Sequence, residues 1–96
     1  MNTKFYILFS IRTKTGHESF AQFFIGNNRT KAETIFRSLK GTSDVDEGNM
    51  LFLDFMETKD DLPVNLKLIT CTLNQLAENC KLITREFFKM NNLEEV

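Results

Sequence analysis

At 96 residues the chain has room for one domain around one hydrophobic core, and its 42% hydrophobic, 26% charged make-up is that of a globular protein. Twelve Lys and Arg against 13 Asp and Glu leave a net charge of −1, which removes the electrostatic basis for binding nucleic acid or an anionic membrane surface. Two cysteines with no CxxC spacing argue against a disulfide framework or a zinc site and for reduced thiols in the cytoplasm.

The first apolar run, Phe5 to Phe9, is far short of the roughly 18 residues that span a bilayer. It is also short for the core of a secretion signal and has no small-residue cleavage site behind it. The sequon Asn28-Arg29-Thr30 therefore carries little meaning. Ten phenylalanines beside one tyrosine and no tryptophan are an unusual aromatic supply for so small a chain.

Lys4 to Thr13 alternates Phe5, Ile7, Phe9 and Ile11 against Tyr6, Leu8, Ser10 and Arg12, the period of a strand. Lys14 to His17, with Gly16, reads as the turn of a hairpin. The second strand, Phe20 to Ile25, is apolar on both faces: Phe20, Gln22 and Phe24 on one side, Ala21, Phe23 and Ile25 on the other. A strand with one wet face should alternate, so something must cover its second side.

After Gly26-Asn27-Asn28 the period becomes helical, with Ala32, Ile35, Phe36 and Leu39 on one stripe. Thr30 and Glu33 have capping-box spacing, Asn27 or Asn28 could cap one turn earlier, and Gly41 ends the helix. An acidic loop from Thr42 to Asn49 leads to a third strand, Met50 to Glu57. A polar loop ending in Pro63 precedes a fourth, Val64 to Thr70. Thr72 and Gln75 form a second capping box, opening a long helix with an expected buried stripe of Leu73, Leu76, Ala77, Cys80, Ile83, Thr84 and Phe87. Leu82 points away from that stripe, and Asn91-Asn92 stops the helix.

The resulting order, ββαββα, predicts a single α+β domain over 1–96, with a four-stranded, mainly antiparallel sheet and both helices on one face. Strand three fits an antiparallel sheet beside strand one, giving the order 2-1-3-4. An order with Phe-rich strand two in the centre stays open. An offset of 45 superposes Leu8 on Leu53, Thr13-Lys14 on Thr58-Lys59 and Ala32-Glu33 on Ala77-Glu78. This suggests tandem ββα units at 4–41 and 49–92, although the two capping boxes do not align.

If the helices cover the Phe5 side, a second greasy face remains. Tyr6, Leu8, Phe20, Phe24, Met50, Phe52, Asp54, Met56 and Ile69 are the expected interface residues there, with Asn65 and Lys67 beside them. Such a patch exceeds the roughly 300–600 Å² that a lone soluble domain exposes, and a second copy packed sheet to sheet is the simplest cover. The expected function is a small binding or structural module working as a homodimer. The alternative is an enzyme, or a binder of an apolar small molecule, with its site at the dimer interface.

Residues suited to chemistry are few, and no metal, cofactor or catalytic site is assigned. His17 stands alone in a turn. Cys71 and Cys80 read as small buried hydrophobes. Asp44-x-Asp46-Glu47-Gly48 has its glycine one position early for a calcium loop and lacks the closing glutamate. Asp54, inside an apolar strand, could pair with Arg12 or Lys67; with Glu57 it is the best acid the alternative offers. Lys81, Arg85 and Lys89 form a basic ridge typical of a solvated helix end. Tyr6, Phe24 and Phe52 could stack bases, yet the basic and glycine residues of an RNA-binding sheet are missing.

Overall fold

The computed structural model describes residues 3–44, 48 and 50–91. Six elements follow in the order ββαββα: β1 Thr3–Thr13, β2 Gly16–Phe24, α1 Arg29–Arg37, β3 Leu51–Lys59, β4 Leu62–Cys71 and α2 Leu73–Met90. The four strands form one sheet in the order β2-β1-β3-β4 with every pair antiparallel. Phe-rich β2 therefore lies at an edge. The second hairpin closes through Asp60 and Asp61 at φ 53° and 66°, with Lys59 paired to Leu62. Two successive positive φ values are what a tight two-residue turn needs, and aspartate tolerates them.

Both helices lie on the face formed by Phe5, Ile7, Phe9, Leu53 and Phe55, where Ala32, Ile35, Phe36 and Leu39 from the α1 segment and Ile83 from α2 complete the core. Phe36 stacks on Phe55 with ring centres 5.1 Å apart, and Phe9 meets Phe23 at 5.0 Å. Burial of each such ring contributes roughly 1.5–3 kcal/mol.

The first helix starts two residues ahead of the Thr30–Glu33 spacing. Asn28 is its cap, accepting from the Lys31 N–H at 3.0 Å. Glu33 instead pairs with Arg29 at 3.2 Å and Arg37 at 3.5 Å along the helix. The Thr72–Gln75 capping box forms as expected. Asn91 caps the far end of α2, while Asn92 lies outside the described residues.

The second helix is rotated from the stripe its leucines suggest. Asn79, fully buried, and Ile83 sit at the centre of its inward face, with Leu76, Cys80 and Leu82 partly buried against the core. Leu73, Ala77, Thr84 and Phe87 are exposed. The cause is polar: the Lys40 N–H donates to Asn79 Oδ1 at 2.7 Å, and Asn79 Nδ2 donates to the Lys40 carbonyl at 2.9 Å. Seating that amide over the end of α1 turns Leu82 inward and Phe87 outward.

Past Lys40 the chain crosses to the outer edge of β4. Thr42 and Thr70 exchange backbone hydrogen bonds of 2.9 and 2.8 Å, and the Thr70 hydroxyl donates to the Asp44 carbonyl at 3.2 Å. Lys40, Gly41 and Thr42 thus form a strap tied to α2 at one end and to β4 at the other.

Candidate functional site

Two β-bulges decide which side chains reach the helix-free face. In β2, Ala21 pairs with Phe9 and Ser19 with Ser10, so Phe20 is the extra residue. Its ring leans towards the core side, 6.1 Å from Phe9 in an edge-on arrangement. In β4, Lys67 pairs with Phe55 and Asn65 with Met56, leaving Leu66 unpaired and packed against the core. An extra residue inverts the facing of everything beyond it. Ile69 therefore packs against the core opposite Leu53, Lys67 shares its side, and Leu68 and Thr70 take the helix-free face.

These pairings set out that face as rows across the sheet. Phe24, Tyr6, Met56 and Asn65 form the first; Gln22, Leu8, Asp54 and Leu68 the second; Ser19, Ser10, Phe52 and Thr70 the third. His17 and Arg12 follow. The expected interface residues Tyr6, Leu8, Phe24, Asp54 and Met56 are thus brought together, whereas Phe20 and Ile69 are turned away. Met50, 57% exposed, stands just before β3.

The two ends of the face differ. Phe52 is only 2% exposed, so it is sheltered by its own chain. The His17 ring stacks on it with centres 4.6 Å apart, and the Arg12 guanidinium lies 5.4 Å from its centre, a cation–π contact. Ser10 and Thr70 beside it are also buried. The first two rows stay open: Tyr6, Leu8, Met56 and Leu68 are half-buried and Phe24 is 47% exposed. Leu68 is absent from the sequence-derived set because only the Leu66 bulge brings it here.

Asp54 sits in the middle of this apolar block and accepts from Asn65 Nδ2 at 2.8 Å. Its neutral partner across the strand replaces the expected ion pair with Lys67, while Arg12 lies over Phe52. Loss of water pushes the Asp54 carboxyl above the usual carboxylate range. The Asn65 hydrogen bond and the field of His17 pull it down without cancelling the shift. A carboxyl raised in the folded state above its unfolded value of ~3.9 destabilises the fold at every pH where it is ionised, and has no such effect below ~3.9. Asp54→Asn should therefore raise stability in urea titrations at neutral pH. The gain should fade as the pH drops through the carboxylate range; a gain undiminished in acid would assign it another cause.

Glu57, the other acid considered for catalysis, faces the helices and meets Arg29 at 3.5 Å, so strand alternation keeps it off the Asp54 face. Burial pushes the thiols of Cys71 and Cys80 up, with Cys80 adding to the effect on Cys71; both are weak nucleophiles at neutral pH. A hollow of about 450 Å³ between Ile11, Met50, Thr70 and the start of α2 has no charged side chain among the described residues that line it. Among the described residues no three His, Cys, Asp or Glu side chains gather to hold a metal, and no helix is long and apolar enough to cross a membrane. Asp46 and Glu47 of the acidic loop lie outside the described residues.

No family model, no curated protein and no solved structure matches this chain.

Proposed function

We propose that this protein is a binding module without chemistry of its own, and that a second copy docks sheet to sheet on its helix-free face. One observation carries the reading. Phe24, Tyr6 and Met56 make an apolar row across β2, β1 and β3, with Leu8 beside it and Leu68 on β4 beyond Asp54, on the side that neither helix covers. Covering side chains of this size contributes roughly 1.5–3 kcal/mol each, enough together to offset an association cost of about 4–15 kcal/mol. A two-fold contact asks only that one patch complement itself. The dispersal of the acidic groups and the raised thiols favour binding over catalysis, and free Cys71 and Cys80 suit a reducing compartment such as the cytoplasm.

Leu8 is the side chain to change, because it lies between Gln22 and Asp54 in the second row. Light scattering at micromolar concentration should find an oligomer for the native chain. Leu8→Glu, which sets a second carboxylate beside Asp54, should lower the number of copies with the circular dichroism unchanged. A native monomer, or a Leu8→Glu particle of unchanged mass, would end this proposal.

A further inference from the structure

The rotation of α2 leaves Leu73, Ala77, Cys80, Thr84 and Phe87 along its outer flank. Their spacing of four, three, four and three residues is that of a helix seam that pairs with another helix. Leu73 is 72% exposed and Phe87 44%, a large outlay of apolar surface for a helix whose inward face is already occupied. The one hydroxyl in the row is turned back on its own helix, since Thr84 Oγ1 donates to the Cys80 carbonyl at 2.7 Å. The row therefore presents carbon and sulfur. Lys81 borders it on a stem long enough to reach water past a neighbouring helix.

The adjoining sheet edge points the same way. A cavity of about 320 Å³ lined by Gln22, Phe23, Phe24, Ile83, Thr84 and Phe87 joins β2 to the end of this row. The two outer strands of the sheet are treated differently. Pro63, the Leu66 bulge, Lys67 and the Thr42 pairing all blunt β4, the usual defences of an exposed strand. The edge strand β2 carries neither proline nor lysine, and its bulge residue is Phe20, 53% exposed. With only the Phe20 bulge and Glu18 to guard it, β2 is the more open border of the two.

We infer that this flank, the outer row of α2 with the free edge of β2, is a contact between two copies of the chain that meets the helix-free face only at Gln22 and Phe24. The occupant follows from the row itself. Laid antiparallel about Cys80, it matches its own copy: Leu73 meets Phe87, Ala77 meets Thr84 and Cys80 meets Cys80, so large faces large and small faces small. The seam is about 21 Å long at 1.5 Å per residue. With the ~30 Å β2 edge beside it and a molecule 20 Å thick, the flank approaches the roughly 800 Å² per partner of a standard interface. A net charge of −1 sets no barrier between copies.

The test is the number of copies in solution. Leu73→Lys and Phe87→Glu, both at exposed positions, should each halve it while circular dichroism stays native. Joined in one chain they should restore it, because each lysine then faces the glutamate of the other copy. Single variants that keep the native mass would overturn the contact, and a double variant that stays split would overturn its antiparallel register. Leu8→Glu acts on the other surface, so the variants separate the two proposals, and only a native monomer would end both together.

Discussion

Asn79→Leu should destabilise the fold by about 3 kcal/mol, read as a lower urea midpoint with an unchanged slope. Leucine has as many side-chain heavy atoms as asparagine and is the bulkier of the two, so cavity formation is not the cause. What is lost is the amide that serves the Lys40 N–H and carbonyl together at 2.7 and 2.9 Å, on a side chain with no exposed surface. A buried polar group deprived of its partner costs roughly 1–3 kcal/mol, and here two are deprived at once. An apolar residue at this position ought to suit a helix that buries leucines. A midpoint that rises would show that the strap finds water or other partners readily, and that Asn79 does not set the rotation of α2.

Gly41→Ala should be equally severe, at about 3 kcal/mol, for a steric reason. The backbone at Gly41 has φ 155°, and a Cβ there would stand 2.5 Å from the Thr70 carbonyl oxygen and 3.2 Å from Ile69 Cδ1. The nearest obstacle is backbone, which cannot rotate aside. Relief requires lifting the strap from β4, so the amides of Thr42 and Thr70 should exchange with solvent faster than in the native chain. Native exchange at these two amides would mean that the strap absorbs the methyl group elsewhere. The two substitutions act on adjacent residues of one segment, so their costs should combine to less than their sum.

Much of this architecture is legible in the residues. Alternation marks Phe5, Ile7 and Phe9 as core, the shift to helical period places Ala32, Ile35, Phe36 and Leu39, and Thr72 with Gln75 announces α2. The failures share a cause, which is that local pattern carries no sign of a long-range partner. Phe20 and Leu66 are ordinary strand residues, and only pairing with β1 and β3 makes them bulges. That is why strict alternation puts Ile69 on the wrong side and misses Leu68. Apolar periodicity centres the stripe of α2 on Leu73, Ala77, Thr84 and Phe87 because it cannot value an asparagine that holds a backbone 39 residues away in sequence. Phe52 reads as exposed for the same reason, since His17 reaches it across two strands. Within the straight stretches between bulges, at Tyr6, Leu8, Asp54 and Met56, the alternation held.

The bond pair between Thr42 and Thr70 limits how the sheet can grow. That bond pair occupies only the Thr70 end of the outer border of β4, and the Leu66 bulge interrupts its middle, so β2 is the more open border of the two. Two molecules that met along β2 would use up the more open border of each. Further growth would have to proceed from β4, where the Thr42 bond pair and the Leu66 bulge oppose it, so a Phe-rich strand at the other edge carries less risk of seeding a fibre.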